Sequence, residues 1–185
     1  MFLDNDIYFL ADPIKTIQGD LALLGCHFLN LPLLNKNGFI ESMGGHFYIW
    51  PREDKFHTIC KSAWVAQKYN GTMRPAYFST FLTGGACIIN KQSFINIGSY
   101  DEEMFIGYED LDFSIRLFQG GFKVGNTGFF ALVHDHQEPS SEIDKKYEQI
   151  RWSLEAIKHS ADYFEKKHNL VVWNDELIDW IASKQ

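Results

Sequence analysis

Residues 105–136 read FIGYEDLDFSIRLFQGGFKVGNTGFFALVHDH and contain, in order, a helix, its stop, a broken strand and a histidine pair. Leu111, Ile115 and Phe118 recur at spacings of four and three, so Asp110 to Gln119 is expected to be a helix with one apolar face. Gly120-Gly121 supplies the helix stop. Lys123 to Val133 then reads as strand, interrupted at Asn126-Thr127-Gly128. His134-Asp135-His136 follows where that strand ends. Upstream, Ala86-Cys87-Ile88-Ile89 is a short apolar run led by Gly84-Gly85, expected as a buried strand, and Ser93 to Ile97 is a short helix stopped by Gly98. Strands alternating with helices indicate an α/β architecture.

Outward from this centre the signals vary in clarity. Met1 to Leu10 is an apolar run broken by Asp4-Asn5-Asp6. Leu21 to Leu29 reads as a strand and Asn35-Lys36-Asn37-Gly38 as a turn. Residues 39–80 carry turn signals at Gly44-Gly45, Pro51 and Asn70-Gly71 but little else. Near Pro139-Ser140-Ser141 the pattern becomes helical, which divides the chain into a body, 1–138, and an extension, 139–185. In the extension Ile143, Tyr147, Ile150, Leu154, Ile157, Ala161 and Phe164 step by four and three, one stripe on a helix of about 25 residues. The stripe is expected to dock on the body, with partner binding as the sharper alternative. Ser141 and Asp144 have capping-box spacing. A second helix is expected over Asp175 to Ala182, capped by Asn174.

The 185 residues, 45% hydrophobic and 22% charged, are enough for one globular domain with its own core. A net charge of −7 without a long basic cluster argues against a duplex-binding surface, so nucleic acid is not an expected partner. No apolar run is long enough to span a bilayer. The acidic start differs from a signal peptide. Three cysteines, Cys26, Cys60 and Cys87, are widely spaced without a CxxC pair, which suits a reducing cytoplasm.

Three features could carry chemistry. Asp4 and Asp6 offer hard oxygen ligands for Mg²⁺ or Mn²⁺, or simply form a polar turn with Asn5. Glu109, Asp110 and Asp112 crowd a helix start, where one or two acids cap the helix. The same field would keep Asp110 ionised near neutral pH, as a general base requires. His134 and His136 are either structural or metal ligands, without the further Cys or His that structural zinc needs.

The ordered set adds Thr83-Gly84-Gly85-Ala86, Gly98-Ser99-Tyr100-Asp101, Arg116-Leu117, Gly121-Phe122-Lys123-Val124 and the segment from Asn37 to Gly45. Together, over residues 1–136, it resembles the second half of family 2 glycosyltransferases of the GT-A (Rossmann-like) fold, including the C-terminal region of galactosyltransferase-like enzymes. The resemblance implies an α/β fold, the C-terminal half of a GT-A domain followed by a helical tail. It implies an inverting, metal-dependent transfer of a sugar from a nucleotide-diphosphate sugar to a hydroxyl of a glycan or lipid-linked acceptor. On it, Asp4-Asn5-Asp6 matches the DxD motif that holds Mn²⁺ or Mg²⁺ against the donor diphosphate, with Asp6 the more direct ligand. His134 completes the metal site. Glu109-Asp110 matches the ED motif, with Asp110 as base. Gly84 and Gly85 let backbone approach donor or acceptor, and Asp112 and Arg116 support the helix. Membrane association would be peripheral.

In that family another half precedes DxD and grips the nucleotide. The expectation is therefore a fragment of a larger enzyme, a split-gene product with a partner chain supplying that half, or an inactive remnant, in each case binding nucleotide sugar weakly or not at all when alone. Two rival readings remain. Leu3-Asp4-Asn5-Asp6-Ile7 also resembles the nucleophile strand of haloacid-dehalogenase-like phosphatases, with Thr83 and Lys91 as its further groups. A non-catalytic assembly module would use the 141–168 helix and aromatic surface.

Overall fold

Ile14, Ile17, Leu21 and Leu24 recur at helical spacing, and Gly25 takes the left-handed conformation that ends a helix at φ 57°. In the computed structural model, which describes residues 1–62, 65–136, 139–173 and 175–182, this segment is accordingly α1 (Ile14–Leu24). The strand expected over Leu21 to Leu29 is thus corrected. Only its end is strand, and the helical spacing before Gly25 outweighs the run of leucines.

The chain opens with β1 (Phe2–Leu3) and β2 (Ile7–Phe9), flanking the Asp-Asn-Asp turn, and continues through α1. Then come β3 (Phe28–Asn30), β4 (Leu33–Asn35), β5 (Ile40–Ser42), β6 (Gly45–Arg52), β7 (Lys55–Ser62), β8 (Tyr77–Ser79) and β9 (Ala86–Ile89). The helices α2 (Lys91–Ile97) and α3 (Glu109–Gln119) follow, then β10 (Val124–Asn126) and β11 (Leu132–His134). The chain ends in α4 (Glu142–Arg151), α5 (Leu154–His168), β12 (Leu170–Val171) and α6 (Asp175–Ala182). Asn174, the expected cap of α6, and Gln137-Glu138, at the expected division of the chain, lie outside the described residues.

The architecture is mixed α/β. Three sheets have the orders β1-β9-β3-β10-β8, β2-β11-β4-β5 and β12-β7-β6. Each contains one parallel pair, respectively β3 with β10, β4 with β11, and β7 with β12, and its other pairings are antiparallel. Two passes of the chain serve two sheets in turn. Phe28–Asn35 supplies β3 and β4, and Val124–His134 supplies β10 and β11. The expected break at Asn126-Thr127-Gly128 falls where the second pass changes sheet.

Side chains alternate across β3. Leu29 packs with Ile17, Leu31, Leu33, Ala86 and Leu132 on the α1 side, while Phe28 packs with Phe113, Leu117, Leu82 and Val124 on the α3 side. Helices therefore cover both faces of the first sheet. Leu111 and Ile115 are buried as their spacing predicts, but Phe118 is exposed and only edges against Phe47.

The single long helix expected after Ser141 is two helices. The Ser141–Asp144 capping box starts α4 as expected. Ser153 then interrupts the run, because its hydroxyl accepts the Ala156 N–H at 3.0 Å and begins α5. The apolar stripe divides with it. Ile157, Ala161 and Phe164 are buried, Phe164 against Phe81, Met104, Leu111 and Ile115. Ile143, Tyr147, Ile150 and Leu154 are exposed. Beyond α5, β12 pairs with β7, so this part of the chain is stitched to the β6–β7 hairpin by backbone bonds. That hairpin occupies the stretch where the sequence offered least. Its turn is Glu53-Asp54, with Glu53 at φ 57°, and Pro51 lies inside the outer strand β6 rather than in a turn.

Candidate functional site

Strand register places the first cluster. β2 and β11 run antiparallel with Ile7 opposite His134, and the Asp135 N–H donates to the Asp6 carbonyl at 2.9 Å. Asp6, just before β2, therefore meets the two histidines at the end of β11. Its Oδ2 lies 3.2 Å from His134 Nε2 and 3.6 Å from His136 Nδ1. One ligand atom from each of Asp6, His134 and His136 fits within a span of 4.8 Å. The other ring nitrogen of His134, Nδ1, lies 3.2 Å from Glu41 Oε2 on β5. A carboxylate beside the far nitrogen would orient the His134 ring and leave Nε2 to ligate a cation shared with Asp6. One carboxylate with two imidazoles suits Mn²⁺ and other first-row divalent ions better than Mg²⁺, which prefers oxygen ligands.

The second cluster is made by the start of α3. Gly107 (φ 81°) and Tyr108 (φ 69°) are both left-handed, a sharp approach that turns the chain into the helix and presents Glu109 and Asp110 at its mouth. For tyrosine this conformation costs energy, the kind of local strain found at working sites. Burial and the neighbouring Glu109 push the Asp110 carboxyl up to about 7, against the pull of the backbone N–H groups of Leu111 and Gly84. The helix field expected to keep Asp110 ionised near neutral pH is opposed here, since desolvation and like charge outweigh it and raise the carboxyl. Burial likewise raises Glu109, whose Oε2 is enclosed without a hydrogen-bond partner among the described residues. Partial desolvation and then Asp6 raise Asp4.

These clusters face two adjoining hollows. The first, about 700 Å³, is lined by Asp4, Asn5, Asp6, Glu109, His134 and His136, with Tyr147, Arg151 and Trp152 from α4 and its end. The second, about 800 Å³, is lined by Asp4, Gly84, Gly85, Tyr100, Glu109 and Asp110 among others. Asp4, Phe105, Glu109 and Arg151 border both. Asp6 and His134 thus share one hollow, while Asp110 opens into its neighbour across Asp4 and Glu109.

Gly85 is fitted against the first carboxylate. Its carbonyl accepts the Asp4 N–H at 2.9 Å, and a Cβ there would stand 2.9 Å from Asp4 Oδ2. The Gly84-Gly85 loop is held from beneath by buried Asn30, whose Oδ1 accepts from Thr83 N and Oγ1 and whose Nδ2 donates to the carbonyls of Phe81 and Gly125. Thr83 is thereby engaged away from both hollows, and Lys91 is exposed at the start of α2.

Asp112 and Arg116 brace α3. Arg116 donates to Asp112 Oδ2 and to the carbonyls of Ile97 and Ser99, while Lys167 and His168 reach Asp112 Oδ1 at 2.7 Å from α5. Burial alone would raise the Asp112 carboxyl, but bonds from His168, Lys167 and Arg116 prevail and hold it at about 2.

Sequence reasoning missed Glu41, Asn30, Tyr147, Arg151 and Trp152, and noted His136 without placing it in the metal set. His136 had a signal in its alternate position to His134. The others had none, because strand pairing and packing alone bring them to the site. The chain matches no protein-family model and no curated protein.

Proposed function

We propose that this chain catalyses sugar transfer from a nucleotide-diphosphate sugar to an acceptor hydroxyl, with inversion at the anomeric carbon and with Mn²⁺ or Mg²⁺ as cofactor, as part of glycan or polysaccharide synthesis. The observation that carries the reading is the pairing of the two hollows. Asp6, His134 and His136 line one and Asp110 lines the next, with Asp4 and Glu109 bordering both.

Asp6, His134 and His136 are the residues that would hold the cation, and Glu41 would orient His134. When bound, the metal supplies charge neutralisation for the diphosphate leaving group. Asp110 takes the proton of the acceptor hydroxyl, and a carboxyl titrating near 7 is well matched to that task at neutral pH. The bond from the anomeric carbon to the phosphate oxygen breaks as the acceptor oxygen attacks from the side of Asp110, so the configuration inverts. Gly84 and Gly85 leave room beside Asp4 and Asp110 for the reacting groups, and Asn5 stands at the rim of the metal-side hollow.

The GT-A identity of the fold and a partner chain for the nucleotide belong to the same proposal. Exposed Phe2, Tyr8 and Phe9 on the outermost strands β1 and β2 favour such a partner.

Titration calorimetry of the full chain tests the reading at its base. Mn²⁺ should bind the wild type and fail to bind Asp6→Ala, and a wild type that takes up no Mn²⁺ would overturn the proposal. In transfer assays with UDP- and GDP-sugars on the assembled enzyme, Asp110→Asn should cost about 10²–10⁴ in rate and leave Mn²⁺ affinity intact.

A further inference from the structure

The β6–β7 hairpin carries a surface unlike the rest of the chain. Its register pairs His46 with Lys61, Tyr48 with Ile59, Trp50 with His57 and Arg52 with Lys55 on one face. The opposite face pairs Phe47 with Cys60, Ile49 with Thr58 and Pro51 with Phe56. At its root this second face turns inward, with Phe47 and Cys60 against the Phe81–Phe164 cluster.

The first face contains no Asp or Glu, although the chain as a whole has a net charge of −7. Tyr48, Trp50 and Ile59 are exposed there by 51%, 39% and 37%, and Trp50 stacks obliquely on His57 at 5.9 Å. Lys55 is engaged with Glu165 at 2.6 Å, whereas Arg52 and Lys61 are exposed and form no ion pair among the described residues. Toward the tip the second face also emerges, with Ile49 and Phe56 exposed. β6 is the outermost strand of its sheet. At its root the Gly45 carbonyl accepts from Thr80 and Phe81 and the Phe47 N–H donates to Thr80 Oγ1, so the open edge begins at Ile49, with Tyr48 and Trp50 on one side of it and Ile49 on the other.

We propose that this hairpin binds the surface of an anionic lipid bilayer, lying along it on the β6 edge. Tyr48 and Trp50 occupy headgroup depth, where amphipathic rings are favoured, with Ile59 beside them and Arg52 and Lys61 against lipid phosphates. Apolar side chains on both sides of one edge favour this occupant over an acidic polysaccharide, which would stack on a single face. Glu53 and Asp54 in the turn keep the tip from entering first. The free backbone groups of β6 stay hydrated at that depth, as they would not in hydrocarbon. No helix among the described residues is long and apolar enough to cross a membrane, and surface binding needs none. The inference stands independently of the sugar-transfer reading.

Co-sedimentation of the full chain with vesicles tests it. The chain should pellet with phosphatidylcholine vesicles containing phosphatidylglycerol, pellet poorly with phosphatidylcholine alone, and be released by high salt. Paired Arg52→Glu and Lys61→Glu changes, both at exposed positions, should weaken binding at least about tenfold without changing the melting temperature. Should that variant misfold, brominated lipids decide with near-native protein, because they should quench the fluorescence of the wild type more than that of Trp50→Phe. The proposal is overturned by failure of the wild type to pellet with anionic vesicles or by equal binding to both vesicle types. Quenching unchanged in Trp50→Phe, preferential capture by soluble heparin that strips the chain from vesicles, or a vesicle-free dimer that Trp50→Ser dissolves would overturn it equally.

Discussion

Two aspartates two positions apart on α3 are driven in opposite directions, and each has a pH signature. Asp110 titrates near 7 in the folded chain and near its ordinary 3.8 when unfolded. The folded state therefore holds the extra proton, and stability falls as pH rises from about 4 to about 7. Asp110→Asn removes that penalty. Urea midpoints should show the variant gaining on wild type between pH 5 and pH 8, by on the order of 2 kcal/mol. Asp112 has the reverse sign. Its folded value of about 2 lies below 3.8, so its contribution is complete above about pH 4 and is lost as pH falls toward 2. Asp112→Asn leaves Arg116, Lys167 and His168 facing a neutral group and should cost about 2–4 kcal/mol at pH 7, after discounting for solvent reaching Lys167. An acid-unfolding curve of this variant should lack the wild-type loss between pH 4 and pH 2. Both aspartates were visible in the sequence as helix-start acids. Their difference was not, because it depends on which side chains from α5 reach back to α3.

Elements were legible where a local pattern sufficed. Apolar spacing and two glycines gave α3 its extent, and Gly84-Gly85 announced β9. The failures share one cause, a local signal read at the wrong period or not read at all. The leucines of Leu21 to Leu24 resemble a strand until Ile14 and Ile17 are counted with them. The β6–β7 hairpin escaped because Pro51, ordinarily a turn marker, sits in an outer strand, and the true turn uses Glu53-Asp54 without a glycine. The stripe after Ser141 kept its helical spacing straight through an N-cap. Ser153 is decisive there, since a serine hydroxyl satisfies the Ala156 N–H only if a new helix begins. Ser153→Ala should lower stability by about 1 kcal/mol in urea unfolding, because α5 and its buried Phe164 lose their start.

At the scale of the whole molecule, the candidate site is a consequence of pairing among strands far apart in sequence. The letters Asp-Asn-Asp, Glu-Asp and His-Asp-His name the participants but say nothing of register. A shift of β2 by one residue against β11 would send the side chains of β2 to the opposite face. Because the proposed cation ligands come from positions 6, 134 and 136, far apart in sequence, metal binding is coupled to holding β2 on β11. A ligand that binds only the folded form stabilises it by about 2.7 kcal/mol at a hundred times its dissociation constant. For a chain of this size that is a rise of roughly 5–10 °C in melting temperature. Saturating Mn²⁺ should therefore raise the melting temperature of the wild type by about that amount, and Mg²⁺ by less, since two of the three ligands are imidazoles. Asp6→Ala and His134→Ala should melt at the same temperature with and without Mn²⁺. A rise in either variant equal to that of the wild type would place the ion elsewhere on this acidic surface and separate the histidine cluster from the proposed chemistry.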